Sequence, residues 1–350
     1  MLLAAKQESV TMGLSIGRRA VLAASSMLPL ARAGGAQAED RKITLLTWGT
    51  NWALGIDQIA ANFTRDSGIS VELVTQTVSG ESLVKLQAMK GHPTVDVWFT
   101  TSSVAERAVT DHDLFAALPA DKMSNWNDVA EAARHERWVG GYGYPLGIVW
   151  RPDMVSKPIT SWEDLWDKSF ANKIGLPGPT SYQARMILTA TLLAGGSIDN
   201  IEPGLQKLRA LKDNVAFWYT SDAQARKALA QGDIALLVAP PAGAKMVRDQ
   251  GAKVEMICPK PATGLFDVMT LLNGPKQEMG AAFINYVINQ TSQEIIANTM
   301  QNAPVNTHAE LSPILKAELP KPGDSVFFDE TIVNKDFDGW VARFNQVVLG

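Results

Sequence analysis

Between residues 43 and 108 the sequence keeps switching period, and that alternation confines the chain to few folds. "ITLLTW" (43–48) is a buried strand, and "GIDQIAANFTRDSG" (55–68) spaces its apolar residues by three and four, with Gly68 as a stop. "ISVELVTQ" (69–76) alternates, "GESLVKLQAMKG" (80–91) is helical, and "VDVWFT" (95–100) is a strand that runs into the helix "SSVAERAVT". Strands separated by helices cannot pair as hairpins. The pattern therefore predicts a parallel sheet with helices on its faces.

A glycine- and proline-bearing, strand-rich stretch at 137–155 follows, and then a second α/β series. It comprises "KIGL" (173–176), a helix over 180–196, another near 202–212, the strand "NVAFWY" (214–219), the helix "DAQARKALAQG" and the strand "DIALLVAP" (233–240). Strands at 252–259 and 267–274, helices at 276–290 and 292–301, and a helical tail at 338–350 complete the chain. The stretches near 145–150 and 260–268 both read as crossings between two α/β lobes, and paired crossings make a hinge. The boundaries drawn are 39–146 plus 267–305 for lobe 1, and 147–266 plus 306–350 for lobe 2.

The first residues belong to another class of signal. Arg18-Arg19, an apolar stretch too short for the roughly 20 residues that span a bilayer, and Ala36-Gln37-Ala38 form the three parts of an export signal over 1–38. The paired arginines suggest the twin-arginine route, with Met1 or Met12 as the start and cleavage near Ala38. The expected location is the periplasm. Residues 1–38 carry a net +3 against the formal −4 of the whole chain, which leaves −7 on the remainder. Such a surface does not suit nucleic acid.

Chemistry-bearing motifs are scarce. One cysteine, Cys258, excludes an internal disulfide and multi-cysteine metal sites, and the four histidines form no metal-binding pair. There is no G-x-S-x-G and no phosphate-binding loop. No catalytic residue, metal or cofactor is expected. An exported α/β enzyme and a ligand-sensing partner of a receptor stay as alternatives of other classes.

"LLTWGTNW" (45–52) and "FTTSS" (99–103) both follow strands, and open parallel sheets bind ligands outside the carboxyl ends of their strands. Trp48 and Trp52 would supply flat contact surfaces, and Thr50, Asn51, Thr101, Ser102 and Ser103 hydrogen bonds. Strand-end packing and helix capping are the plainer roles for the same residues.

"ITSWEDLWDKSFANKIGL" (159–176), with "DVWFTTSSVAERA" (96–108), "QGDIALLVAPPAGA" (231–244), "QNAPVNTHAEL" (301–311) and "WVARFNQVV" (340–348), resembles the extracellular solute-binding proteins of ABC importers, in the spermidine/putrescine-binding branch. The resemblance spans nearly all of 43–350. It implies a type II periplasmic binding protein fold, α/β and two-lobed. It also implies a monomer that captures a small-molecule solute by lobe closure and passes it transiently to a permease at the inner membrane.

The chain departs from that branch where polyamine binders place acids. Pro179 and Tyr182 stand there, Ala239 replaces an aromatic, and Asp267 remains as one displaced acid. Thr180 and Ser181 at a helix start would suit an anion instead. Asp267 would grip an ammonium group, with ring contacts worth about 0.5–2 kcal/mol. The expected solute is a small polar molecule, amine-bearing, zwitterionic or anionic, with a polyamine as the alternative. "FWYTSD" (217–222) offers a single tyrosine, which does not fit ferric iron.

Overall fold

The computed structural model describes residues 41–49, 53–111, 113–321 and 323–350. The export signal and three expected site residues, Thr50, Asn51 and Trp52, lie outside them. The order begins β1 (Lys42–Trp48), α1 (Ala53–Ser67), β2 (Ser70–Gln76), α2 (Ser79–Ala88), β3 (Val97–Thr101) and α3 (Ser102–Ala108). β4 (Trp138–Pro145) and β5 (Gly147–Trp150) follow, then β6 (Ile174–Pro177), α4 (Arg185–Leu193), α5 (Glu202–Ala210), β7 (Val215–Tyr219) and α6 (Asp222–Gln231). β8 (Leu236–Ala239), α7 (Pro241–Asp249), β9 (Glu255–Ile257), β10 (Ala262–Leu271), α8 (Gln277–Val287) and α9 (Gln290–Met300) come next. α10 (Pro313–Glu318), β11 (Ser325–Val326) and α11 (Glu330–Phe344) finish the chain.

Two sheets result, in one compact unit spanning Arg41–Gly350. The first has the order β11-β10-β3-β1-β2, with β4 on β10, and the second β7-β6-β8-β5-β9. In the first sheet β1 is parallel to β2 and β3, as the alternating series requires. β1 sends Ile43 and Leu45 to the face covered by Ile56 and Ile59 of α1, and Leu46 to the opposite core with Trp98. A helix-flanked parallel strand is buried on both faces, so its apolar run need not alternate. β6 and β8 play the same part in the second sheet, between a core that holds Ile174, Leu176 and Leu236 and another that holds Leu237 and Ala239.

The crossings are tightly built. β4 ends in the first sheet at Pro145 and β5 enters the second at Gly147. A Cβ on Gly147 would stand 2.4 Å from the Ile257 carbonyl oxygen, so only glycine permits that approach. The return passes Pro259–Pro261, where the buried Trp162 indole donates to both proline carbonyls at 3.0 Å. Trp162 belongs to the "TSWEDLW" segment, and Asp164 of that segment accepts the Thr160 and Ser161 backbone N–H groups at 2.8 and 2.9 Å. The most recognisable motif therefore caps a turn and pins a crossing. β10 pairs antiparallel with β4 in the first sheet from Gly264 onward, ahead of the 266/267 boundary read from sequence. The strands read at 252–259 and 267–274 are thus one short edge strand and the late part of a ten-residue one.

The tail is longer than its sequence periodicity suggests. Asp329 caps α11 by accepting the Thr331 N–H at 2.8 Å. Val333, Trp340, Phe344 and Val348 then fill the core of the second lobe. The first turns of α11 also touch the first lobe, since Asn334 donates to the Ser103 carbonyl at 2.8 Å.

Candidate functional site

Register across the first sheet places three side chains in one row. Asp267 of β10 pairs with Thr101 of β3 on one side and Tyr142 of β4 on the other. Tyr144 lies two residues beyond Tyr142 and therefore on the same face, with ring centroids 6.4 Å apart. Trp48, the last residue of β1, joins them at the carboxyl end of the sheet. A cavity of about 270 Å³ opens here, walled on the first-lobe side by Trp48, Thr101, Tyr142, Tyr144, Leu265 and Asp267.

The opposite wall comes from the second lobe. It contains Tyr182, Gln183, Asp222, Arg226, Pro240 and Gly243. Asp222 and Arg226 stand one turn apart on α6, whose start is capped by Ser221 and whose end is set by left-handed Gly232. Pro240 immediately precedes α7 and Gly243 lies in its first turn. Tyr182 and Gln183 lie in a turn where Tyr182, Gln183 and Ala184 all have positive φ, at 50°, 51° and 59°. Three successive non-glycine residues in the left-handed region cost of order 1–3 kcal/mol each and persist only where their surroundings hold them.

Arg185 does that holding. Its side chain is 0% exposed. It donates to the Gln183 carbonyl at 2.9 Å and to the Gly264 carbonyl of β10 at 3.1 Å. It also donates to Glu330, at the head of α11, and lies over the Phe328 ring. Glu330 in turn accepts the Ser102 hydroxyl at 3.2 Å.

Electrostatically, Asp267 is the centre of the site. It is 7% exposed and accepts the Tyr142 hydroxyl on one oxygen at 2.6 Å. Its other oxygen, Oδ1, is buried with no hydrogen-bond partner. Burial pushes this carboxyl up to about 7, opposed by the Tyr142, Tyr144 and Trp48 donors around it. The Trp48 Nε1–H lies near enough to contribute to that opposition, but it makes no hydrogen bond of proper geometry and is itself buried without a partner. Burial first, and then the Asp267 charge, hold the Tyr142 phenol well above its ordinary value, so it stays a donor. On the second-lobe wall the Tyr182 hydroxyl donates to Asp222 at 2.6 Å.

Of the residues expected from sequence, Trp48, Thr101, Tyr182 and Asp267 line this cavity. Ser102 and Ser103 do not, since both are buried and Ser102 is turned to Glu330. Thr180 is exposed, and Ser181 donates to the Tyr219 carbonyl at 3.0 Å. Thr180 precedes only a short 3-10 turn, Ser181–Ala184, broken by the left-handed angles of Tyr182 and Gln183. The left-handed turn delays α4 to Arg185, so the α-helix read from 180 does not start there, and neither Thr180 nor Ser181 lines the cavity.

Sequence reasoning missed Tyr142, Tyr144, Asp222 and Arg226. The tyrosines had a signal, since "YGY" alternates on the strand that enters the first crossing. Arg226 had none, because nothing local distinguishes it from a solvated residue on an amphipathic helix. Among the described residues no group of histidine, cysteine, aspartate or glutamate could hold a metal ion, and no helix is long and apolar enough to cross a membrane.

Residues 58–321 match the family described as bacterial extracellular solute-binding protein. The spermidine/putrescine-binding periplasmic protein of Salmonella typhimurium is 22% identical over 251 residues, 68% of this chain and 71% of that one. Among solved structures, an ABC transporter protein from Clostridium perfringens ATCC 13124 superposes with TM-score 0.74 and 25% identity, over 87% of this chain and 99% of the other. An extracellular solute-binding protein from Bordetella parapertussis superposes with TM-score 0.80 and 20% identity, over 89% and 99%. The two-lobed architecture is that of the type II periplasmic binding proteins, and the chain belongs to the bacterial extracellular solute-binding protein family.

Proposed function

We propose that the protein captures a small amine-bearing solute between its lobes and hands it to the membrane permease of an ABC importer. The observation that carries this reading is Asp267 Oδ1, a carboxylate oxygen buried against the cavity and left without a partner. Leaving such an oxygen unpaired costs about 1–3 kcal/mol or more, which an entering ammonium N–H would recover. Trp48, Tyr142, Tyr144 and Tyr182 surround that position with rings whose faces attract cations. Binding, closure and release involve no bond breaking. Family membership supports transport over catalysis.

In this reading residues 1–38 direct export to the periplasm and are removed near Ala38, the protein acts as a monomer, and its contact with the permease is transient. A polyamine is the second candidate solute, supported by what the Salmonella relative is named for binding.

A thermal-shift screen of the purified protein against amines tests the central claim. A bound amine at 100 times its dissociation constant should add about 2.7 kcal/mol of stability. Asp267→Asn should erase the shift. A stabilising solute without an amino group, or an unaltered shift in Asp267→Asn, would overturn the assignment.

A further inference from the structure

The reading above accounts for one wall of the cavity. The other wall carries a charge that it leaves idle. Arg226 is half-buried, lines the cavity, and makes no hydrogen bond or ion pair among the described residues. The carboxylate nearest to it along the helix, Asp222, accepts the Tyr182 hydroxyl instead. A Cβ placed on Gly243 would come within 4.0 Å of Arg226 Cδ, so the arginine stem runs along the first turn of α7. That turn borders the cavity through Gly243, with Pro240 just before it, but Pro240 and Pro241 carry no N–H and the Gly243 N–H is bonded to the Pro240 carbonyl, so the guanidinium is what this wall offers an anion.

We infer that Arg226 holds an anionic group at the far end of the same solute, so that the ligand is an amine carboxylate rather than a diamine. This deepens the reading in which Asp267 takes the amine and rests on it. One lobe offers an unpaired carboxylate oxygen, the other an unpaired guanidinium. A molecule charged with opposite sign at its two ends satisfies both at once. A guanidinium offers parallel N–H groups that match a carboxylate in bidentate fashion. A diamine would bring its second ammonium up to Arg226, with Asp222, which keeps its charge while accepting the Tyr182 hydroxyl, one helical turn away. That arrangement selects by repulsion as well as by attraction. Because the two charges sit on different lobes, the ligand also ties the lobes together, and neither end alone does so.

The test is calorimetry on the purified protein with carbon-matched sets. Each set contains an ω-amino acid, the corresponding diamine and the corresponding unsubstituted carboxylate, from three to six carbons. The protein α-amino acids are run alongside. At least one amino acid should bind ten-fold or more tighter than the diamine of its set. Arg226→Gln should weaken that amino acid ten-fold or more and leave the diamine unchanged or improved. Asp267→Asn should weaken both. A diamine that binds as tightly as its amino acid, or an Arg226→Gln variant that leaves the amino acid unaffected, overturns the role of Arg226 while Asp267 keeps the amine. Binding of the unsubstituted carboxylates alone, insensitive to Asp267→Asn, overturns the amine site itself. Binding of no amine in any set counts against both.

Discussion

Asp267 is held at a point where protonation decides what it can do. An aspartate sits near 3.8 when unperturbed, and burial raises this one to about 7. The folded chain therefore binds the Asp267 proton more tightly than the unfolded chain does. The stability this group contributes is complete below pH 4 and is lost as pH rises through about 7. For a shift of this size the loss is at most about 4 kcal/mol. Asp267→Asn should accordingly raise the melting temperature of the unliganded protein at pH 8 and change it little at pH 4. Amine binding has the opposite slope, because an ammonium needs the carboxylate. Affinity should climb from pH 5 to about 7 and then level off, a profile that titration calorimetry reads directly. Tyr142→Phe should depress amine affinity by about ten-fold near neutral pH, or about 1.4 kcal/mol, through loss of the donor that favours the ionised aspartate. Equal affinity in Tyr142→Phe and the parent would remove that hydroxyl from the account.

Among the elements, the turn before α4 stores the most tension. Tyr182, Gln183 and Ala184 hold left-handed angles that only glycine adopts freely. Gln183→Gly should relax that local cost by about 1 kcal/mol, less what the chain entropy of a new glycine takes back. Arg185 and Glu330 clamp the turn from behind. Removing one partner of a buried ion pair is far costlier than removing both, typically about 3–5 kcal/mol for the single loss. Arg185→Met alone should thus destabilise strongly in urea. Arg185→Met combined with Glu330→Met should recover much of the deficit, and a double variant no better than the single would deny the coupling. Sequence periodicity had a helix over this turn because its residue types suit one. The Gly264 carbonyl and Glu330, which hold the same guanidinium, are 79 and 145 residues away in sequence and leave no local pattern.

The strand and helix alternation was readable in the sequence because a parallel sheet needs apolar runs bounded by amphipathic helices. Trp48 and Thr101 were readable for a related reason, since they stand at strand ends where such sheets bind, whereas Asp267, in the middle of β10, was reached through the family resemblance. Three things escaped. The register that sets Asp267 between Thr101 and Tyr142 depends on antiparallel pairing across more than a hundred residues of sequence. The burial of Ser102 and Ser103 depends on α11, which comes more than two hundred residues later. The charge on the second wall depends on which side of α6 meets the first lobe. At the scale of the whole molecule, a ligand gripped at both walls should draw the lobes together. Small-angle scattering with a ligand identified by calorimetry should show a smaller radius of gyration than without it. An unchanged radius would mean that the cleft is already shut before the solute arrives.

The tail helix sets a schedule for the chain as it is made. Trp340, Phe344 and Val348 are structural fill for the second lobe, and the Trp218 ring meets Phe344 edge-on at 4.9 Å. The first lobe, for its part, waits for β10 before β3 and β4 can be joined. A nascent chain therefore holds neither lobe in finished form until it is well past residue 270, and the second only when the last turn has left the ribosome. A stop codon at position 338 would leave a protein with an intact first sheet and an unsealed second, degraded in the cell long before any solute could test it.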